Sequence, residues 1–298
     1  HSENGQRLNI PVVIDEVDIN GRPLSAVRLE GAGWLDYADF TASEYFDETA
    51  WQSFVLEAEN TGADILWLSG IREDSALYKA LETTEHHGHL FEGESSFLLD
   101  CNKDGYTAWY TGLSQRMRSK VRRIEKKKAI IEQMGGSVTV NRVTPESIET
   151  FLNLQHVRAQ TSNGKLDSFL MDDEYSDFLR ELARAGELSA TTIELEDTPI
   201  AMAIFHHTPG INDTVSIINQ GFDTRYSHLA PGFIMQLELI KIAHNSGARA
   251  VDYLKGAESY KNDFTNRAVK LYKYLQPLQP IGDARWEDVK NFGESYVE

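Results

Sequence analysis

Five side chains that can hold or transfer a proton lie within ten positions near the C-terminal end of the sequence: Asp252, Lys255, Glu258, Tyr260 and Lys261. The run "ARAVDYLKG" predicts a strand, so Asp252 lies near its carboxyl end and the later residues follow in a loop. Ligands gather at the carboxyl ends of strands in α/β sheets. Such groups could take a proton from an attacking amine, return one to a leaving group and stabilise negative charge.

The segment "RYSHLAPGFIMQLELIKIA" places a proline and a glycine directly before an apolar helix. The N–H groups of a first helical turn have no intrahelical partner and carry partial positive charge. Pro231 gives up only a donor that would be unused, and Gly232 has no side chain to keep an anion away. After the strand "TVSIINQGF", this pattern predicts a phosphate-binding helix start. The alternative is an ordinary turn before a helix.

The composition is that of a soluble chain with a sizeable core. Hydrophobic residues make up 41% of its 298 residues, and the length allows one large domain or two of ordinary size. The net charge of −17 argues against broad binding to nucleic acid or to an anionic membrane. No stretch approaches the roughly 18 apolar residues of a membrane span. The start at His1 rather than Met indicates a tag remnant or a truncated first domain.

Cysteine and histidine usage argues against a metal centre. The single Cys101 excludes an internal disulfide framework and cysteine-rich metal sites, and a reducing cytoplasm is the simplest location. Because Cys101 lies in the first half, we expect no cysteine nucleophile. The cluster His86, His87 and His89 lacks a fixed helical spacing, so we interpret it as a solvated loop and expect no metal.

One segment is strongly basic although the chain as a whole is acidic. Residues 116–128, "RMRSKVRRIEKKK", carry eight basic residues against the single Glu125. Met117, Val121 and Ile124 are spaced for one face of an amphipathic helix. The cationic side is either a solvated face that balances acidic neighbours or a site for a polyanionic substrate or partner.

Strand-like and helix-like runs alternate on both sides of this basic helix. In the second half, Thr144 and Pro145 predict the cap and first position of a helix, and "EDTP" predicts the turn of a hairpin. The segments "TGADILWLSG" and "SGARAVDYLKG" both follow a helix and resemble each other, as a duplicated fold would require. We therefore predict an α/β (α+β) protein with a first half at 1–112, a connecting helix at 113–135 and a second half at 136–298.

A resemblance to a known family covers most of the chain. The succession "RMRSKVRRIEKK", "FLNLQHVRAQ", "ELSATTIELEDTPIAMAIF" and "QGFDTRYSHLAPGFIMQLELIKIAHNSGARAVDYLKGAESYKNDF" resembles the GNAT-superfamily acyltransferases of the CelD/BcsL type, relatives of the FemAB peptidoglycan transferases. The first half is also similar, in "GWLDYADF" and "GADILWLSG". The segment from "APG" to "YK" is the most specific part.

The resemblance implies two tandem GNAT-like halves with mixed, mostly antiparallel sheets flanked by helices. It implies that the second half binds acyl-coenzyme A in a gap between two strands, with the pyrophosphate on the helix start. Backbone amides at this helix start are then expected from Leu229, Ala230, Gly232 and Phe233, with Pro231 shaping the loop. The sequence has Ala-Pro-Gly where many GNAT enzymes have a Gly-x-Gly/Ala run, so fewer amides are offered.

For direct acyl transfer to an amine, we predict catalytic roles for residues of the cluster between Asp252 and Lys261. Asp252 or Glu258 is the base, Tyr260 gives a proton to the leaving thiolate, and Lys261 stabilises charge or contacts phosphate. The alternative is that Asp252 and Lys255 form an ion pair at the rim of the sheet. The residues predicted on the substrate side are Arg158, Asn219, Gln220 and Lys255. The alternative is that Arg158 is an exposed helix residue in a salt bridge and that Asn219 and Gln220 end a hairpin. His206 and His207 are reserve bases.

The leading hypothesis is therefore a cytoplasmic N-acyltransferase. It would use acyl-coenzyme A, such as acetyl-coenzyme A, to acylate the amine of a small molecule or sugar, in envelope polysaccharide or specialised metabolism. A FemAB-like enzyme that takes its acyl group from aminoacyl-tRNA, held by the basic helix, is one alternative, against which the net charge counts. An inactive tandem GNAT scaffold or ligand sensor is the other.

Overall fold

The computed structural model describes residues 10–30, 37, 48–83, 88–101, 103–161, 173–207, 213–256 and 261–295. The chain forms two compact units. The first unit comprises His1–Ser96, Lys255–Ala257 and Ala268–Glu298, and the second comprises Phe97–Leu254 and Glu258–Arg267.

Strands and helices alternate along the described residues. The strands are β1 (Val12–Ile19), β2 (Arg22–Leu29), β3 (Ile65–Arg72), β4 (His89–Asp100), β5 (Ser137–Arg142), β6 (Leu188–Leu195), β7 (Thr198–His207), β8 (Thr214–Phe222), β9 (Ala250–Lys255) and β10 (Arg267–Pro277). The helices are α1 (Glu48–Asn60), α2 (Ala76–Thr83), α3 (Gly105–Gly112), α4 (Gln115–Gln133), α5 (Pro145–Thr161), α6 (Asp173–Ala185), α7 (Pro231–Ser246), α8 (Lys261–Phe264) and α9 (Asp283–Ser295), and a 3-10 helix spans Thr224–Leu229.

The first unit is built on strands in the order β1-β2-β3-β10-β4. Alternate residues of β3 point to opposite faces of the sheet. Leu66 and Leu68 pack with Trp51 of α1 and Leu77 of α2. Ile65 and Trp67 pack in a separate cluster that includes Val289 of α9. The two faces of this sheet are thus covered by helices from opposite ends of the chain.

The C-terminal strand and helix belong to the first unit rather than to the second. Strand β10 runs antiparallel to β3, from Leu271 opposite Arg72 to Pro277 opposite Ile65. This division differs from the predicted boundaries at residues 112 and 135, because pairing with β3 brings residues 268–298 back to the first unit.

The second unit contains strands in the order β9-β8-β7-β6-β5. Strands β5 to β8 pair antiparallel, and β8 and β9 pair in parallel. The β6–β7 hairpin turns at Glu196 and Asp197, both with positive φ, so the predicted turn at "EDTP" is confirmed. Helices α4 and α7 contribute Val121, Ile124 and Ile234 to one core cluster, together with Ile193 of β6. The fold class is mixed α/β, with mostly antiparallel strands flanked by helices, as predicted.

The two similar sequence segments have the same local structure. Helices α1 and α7 are followed by left-handed glycines, Gly62 with φ of 77° and Gly247 with φ of 76°. In each unit the strand that follows then pairs in parallel with an earlier strand over a few residues, β3 with β2 over two and β9 with β8 over three. Among the described helices, none is both long and apolar enough to cross a membrane.

Candidate functional site

Strands β8 and β9 pair only at their beginnings. Their register joins Thr214 to Ala250, Val215 to Val251 and Ser216 to Asp252, and ends there. Strand β8 continues to Phe222 and β9 to Lys255 without further pairing between them. Backbone groups that line such a gap can bind an extended ligand in the manner of an added strand.

A bulge in β8 lies directly after its last pair with β9. The pairing of β7 with β8 shifts register between Ile204 opposite Asn219 and Phe205 opposite Ile217, which leaves Ile218 as the extra residue. A bulge bends its strand and redirects the residues that follow. The direction of β8 therefore changes where the gap begins.

Helix α7 begins beside the end of β8 with the unusual geometry that its sequence suggests. Ala230 precedes the helix in the left-handed conformation, with φ of 54° and ψ of 50°, and its side chain supplies no cap. Pro231 is the first helical residue. A left-handed residue other than glycine is unfavourable, so the surrounding structure must hold this loop in place.

Most of the predicted backbone donors at this helix start are engaged within the protein. The Ala230 N–H donates to the Ser227 carbonyl at 2.9 Å, and the Phe233 N–H donates to the Ala230 carbonyl at 3.1 Å. Leu229 ends the preceding 3-10 helix. Within the described residues, the Gly232 N–H has no acceptor. The structure therefore leaves one open donor where the sequence predicted four, because the 3-10 helix and the first turn of α7 use the others.

The open Gly232 amide lies beside the side chain of Gln220. A Cβ atom added to Gly232 would lie 3.8 Å from both Oε1 and Nε2 of Gln220 and 3.9 Å from the Phe222 ring. The Gln220 Oε1 atom is buried and accepts no hydrogen bond from the described residues. Buried polar atoms in proteins are nearly always paired. An open donor beside an unpaired buried acceptor fits a ligand that carries both acceptors and donors.

Helix α5 holds the end of β8 through two side chains. The Gln155 Nε2 donates to Asn219 Oδ1 at 2.6 Å and to the Gln220 carbonyl at 2.9 Å. The Arg158 guanidinium donates to the same Gln220 carbonyl at 2.8 Å and lies 5.5 Å from the centre of the Phe222 ring. The structure thus brings together Arg158, Asn219 and Gln220, which the sequence predicted on the substrate side. It adds Gln155, which the sequence analysis missed.

On the opposite side of the gap, Asp252 and Lys261 are both buried. Their exposed fractions are 1% and 3%. Asp252 Oδ1 accepts a hydrogen bond from the Leu254 N–H at 2.8 Å, and Lys261 Nζ lies 3.5 Å from the Leu254 carbonyl oxygen. The ion-pair alternative assumes that Asp252 lies at an exposed rim of the sheet, but the structure places it in the interior. Lys255 ends β9 half-buried, and the predicted Glu258 and Tyr260 lie outside the described residues.

The reserve bases lie beside the paired part of β8. His206 and His207 are opposite Ser216 and Val215, away from the gap. Burial lowers the pKa of His207, and the neighbouring His206 lowers it further. His206 Nε2 lies 3.1 Å from Glu187 Oε2. The geometry favours neither histidine as the base. Of the predicted histidine cluster, His86 and His87 lie outside the described residues, and no group of described side chains could hold a metal ion.

The basic helix α4 is amphipathic as predicted. Val121 and Ile124 are buried, and Met117 packs against the same core cluster. On its polar side, Lys120 pairs with Asp263 and lies 4.1 Å from the centre of the Phe233 ring, and Lys127 donates to the His228 carbonyl. Phe233 and His228 flank the start of α7, so α4 contacts this region through both lysines, and the charge of Lys120 is paired there with Asp263.

An ion-pair network joins α4 to the middle of α7. Lys241 lies 2.7 Å from Glu125 and 2.8 Å from Glu238, and Lys128 lies 3.1 Å from Glu238. Burial acts to lower the pKa of Lys241, but the hydrogen bonds to the two glutamates outweigh it and raise that pKa. Arg116, Arg123 and Lys126 are exposed. The basic segment is thus partly an internal counterion for α7 and partly an open cationic surface.

Asp223 anchors the 3-10 helix that leads to α7. Its carboxylate accepts from the backbone N–H of Arg225 at 3.0 Å and from the Arg225 guanidinium, and its own N–H donates to the Ile200 carbonyl at 2.8 Å. These hydrogen bonds from Arg225 lower the pKa of Asp223.

We expect Asp223→Asn to make the unfolding temperature less dependent on acidic pH. A carboxyl with a lowered pKa in the folded state adds stability above its unfolded pKa, and this stability is lost as the pH falls through the folded pKa. Asparagine keeps an oxygen that can cap the helix, so the loss near neutral pH is that of the ion pair with the exposed Arg225 and should be below about 1 kcal/mol. Thermal unfolding at pH 7 and pH 3 should therefore show a smaller difference in the variant. An equal difference in both proteins would contradict this role.

Comparison with known proteins finds a family that is similar to the part of the chain around this site. Residues 115–262 match the family model described as acetyltransferase (GNAT) domain. The match begins with α4 and includes both diverging strands and the start of α7. This part of the chain is similar to a GNAT acetyltransferase domain. No curated protein matches the chain.

Solved structures share the fold over most of the chain. A conserved protein of unknown function from Bacteroides thetaiotaomicron has a TM-score of 0.59 at 11% identity, covering 90% of this chain and 84% of the other. FemX has a TM-score of 0.59 at 11% identity, covering 88% and 83%. The C-terminal domain of a protein described as a lysylphosphatidylglycerol synthetase from Agrobacterium fabrum has a TM-score of 0.53 at 13% identity, covering 99% and 88%. At these identities the likeness concerns the fold.

Proposed function

We propose that this protein is an N-acyltransferase of the CelD/BcsL type that takes its acyl group from acyl-coenzyme A. The observation that supports this proposal is the gap between β8 and β9 beside the open Gly232 amide, within the segment that matches the GNAT domain. An extended pantetheine arm can pair with the backbone in the gap. The pyrophosphate can accept from the Gly232 N–H, and Lys127, which contacts the His228 carbonyl before α7, is a cation that could add to this binding.

The acceptor in this proposal is the amine of a small molecule or sugar, and the reaction takes place in the cytoplasm. Acyl-coenzyme A supplies a thioester, in which the carbonyl carbon is open to attack by the amine. A base removes the amine proton, the carbon–sulfur bond breaks as the carbon–nitrogen bond forms, and the departing thiolate receives a proton from Tyr260. We assign the base to Glu258 rather than Asp252, because the Asp252 carboxylate is buried and bound to the Leu254 N–H.

Aminoacyl transfer from tRNA is the second candidate function. Two structures with the same fold are FemX and a protein named for the synthesis of lysylphosphatidylglycerol. The exposed Arg116, Arg123 and Lys126 of α4 would provide a cationic surface for the nucleic acid. The net charge of −17 opposes such binding over a wider surface.

Binding measurements on the whole chain distinguish these functions. Isothermal titration with acetyl-coenzyme A should show saturable binding, and gel shifts with tRNA should show none. No heat with acetyl-coenzyme A, together with a salt-sensitive shift of tRNA, would favour aminoacyl transfer. Saturable binding of acetyl-coenzyme A without turnover of any amine in an acceptor screen would favour a ligand sensor.

We expect Gly232→Ala to weaken acetyl-coenzyme A binding by roughly tenfold, because a methyl group beside the open amide keeps the diphosphate away. The fold should tolerate the change, since the added Cβ has ordinary contacts at 3.8 Å and alanine favours helix over glycine. Titration should therefore show a weaker affinity for acetyl-coenzyme A, while the unfolding temperature stays the same or rises. Unchanged affinity in Gly232→Ala would contradict the diphosphate assignment.

A further inference from the structure

Leu254 has a backbone conformation that leucine rarely adopts. It lies in β9 with φ of 60°, whereas extended strands have φ near −120° to −140°. The left-handed region is unfavourable for residues that carry a Cβ atom, and single strained residues persist where the surrounding structure fixes them. Leu254 is half-buried, so its side chain does not by itself explain this conformation.

Two buried charged side chains hold the Leu254 backbone from both sides. Asp252 Oδ1 accepts from the Leu254 N–H at 2.8 Å, and the Lys261 ammonium lies 3.5 Å from the Leu254 carbonyl oxygen. Both side chains are among the most buried charged groups of the described chain, with 1% and 3% of their surface exposed. Burying a charge is costly unless it is paired or hydrogen-bonded. Both buried groups contact the Leu254 peptide, so they can restrain its conformation.

The strained residue lies next to the point where the two strands separate. Asp252 is the last residue of β9 that pairs with β8, and Leu254 follows two residues later. A left-handed residue breaks the pleat of a strand, so β9 cannot continue its register with β8 beyond this point. The bulge at Ile218 has the same effect on β8. The gap is thus fixed by one irregular residue in each strand.

We infer that Asp252 and Lys261 are positioning residues that hold Leu254 in its left-handed conformation and so keep the gap open for an extended acyl donor. The identity of that donor rests on the proposed function. In this role Asp252 transfers no proton. The backbone conformation of Leu254 thereby determines donor binding, although a leucine side chain has no polar group that would bind the donor itself.

Four variants of the whole chain test the inference. Asp252→Ala removes the acceptor for the Leu254 N–H, and we expect the KM for acetyl-coenzyme A to rise at least tenfold with a smaller change in kcat. Asp252→Asn keeps an oxygen acceptor and should recover most of that loss, with an unaltered pH dependence of kcat. Leu254→Gly lowers the cost of the left-handed conformation. The double variant Asp252→Ala/Leu254→Gly should therefore bind the donor more tightly than Asp252→Ala alone.

Leu90→Gly is the matched control, because Leu90 is also half-buried in a strand but has ordinary φ. It should lower the unfolding temperature, whereas Leu254→Gly should leave it unchanged or raise it. A hundredfold loss of kcat in Asp252→Asn, or no recovery in the double variant, would overturn the inference.

The unfolding temperatures also separate this inference from the proposed function. If the wild-type protein does not bind acetyl-coenzyme A, the proposed function fails. The inference about Leu254 is then decided by stability alone. Recovery of the unfolding temperature of Asp252→Ala by Leu254→Gly would support it, and additive losses would refute it.

Discussion

Gly221→Ala is expected to destabilise the second unit by about 1–3 kcal/mol and to abolish donor binding at micromolar concentrations. A Cβ atom at this position would lie 2.9 Å from the Gln155 backbone nitrogen and 3.0 Å from the Leu154 carbonyl carbon. Because these are backbone atoms of α5, they cannot move aside as a flexible side chain could. The helix must shift away from β8, which stretches the hydrogen bonds of Gln155 and Arg158 to the Gln220 carbonyl.

Chemical denaturation and titration with acetyl-coenzyme A would measure both effects of Gly221→Ala. Gly112→Ala is the matched control, since a Cβ atom at Gly112 meets no atom within 4 Å and the residue has ordinary φ. The control should change neither quantity. Equal stability of Gly221→Ala and Gly112→Ala would show that α5 does not depend on this close approach to β8.

Glu258→Gln is expected to lower kcat by roughly 10²–10⁴-fold, because glutamine cannot accept the proton of the attacking amine. The KM for acetyl-coenzyme A should change little, since the donor is bound on the other elements of the site. Steady-state kinetics at pH 6 to 9 would measure both constants. The rate of the wild-type enzyme should fall at low pH as its base becomes protonated, and this dependence should be lost in Glu258→Gln.

Glu194→Gln is a suitable control for Glu258→Gln, since Glu194 is a partly buried carboxylate on β6. Its kcat should stay within about twofold of the wild type, as surface substitutions away from a site usually have small effects. A kcat for Glu258→Gln within threefold of the wild type would remove Glu258 from the mechanism.

Local signals in the sequence predicted many elements of the fold. Pro145 begins α5 as predicted, and Thr144 accepts from the Ser147 N–H at 3.3 Å. The spacing of Val121 and Ile124 predicted the buried side of α4. Such signals are local because capping and amphipathic periodicity depend on residues within a few turns. Helices α3 and α9 lacked such signals and were not predicted.

Local patterns in the sequence could not predict that the first unit is built from both the beginning and the end of the chain. The sequence "VKLYKYLQPL" predicts a strand, but nothing within it specifies that β10 pairs with β3, some 200 residues earlier. Pairing over such distances depends on which hydrophobic faces remain to be covered, and the sequence does not state this. The predicted boundaries therefore followed the order of the chain.

The sequence predicted where the site lies in the chain, but not which of its backbone donors are open. The Ala-Pro-Gly pattern located the start of α7, and Asn219 and Gln220 were placed beside it. The number of open amides was not predictable, because the 3-10 helix from Thr224 to Leu229 uses donors that the sequence leaves unassigned. The left-handed Leu254 was equally hidden, since leucine does not signal positive φ.

The most direct test of the account is a crystal structure of the wild-type protein with bound coenzyme A. The account predicts that the diphosphate lies within hydrogen-bonding distance of the Gly232 N–H and that the pantetheine amides pair with backbone groups between β8 and β9. Coenzyme A bound elsewhere on the protein, or a gap closed by pairing of β8 with β9 beyond Ser216 and Asp252, would contradict it.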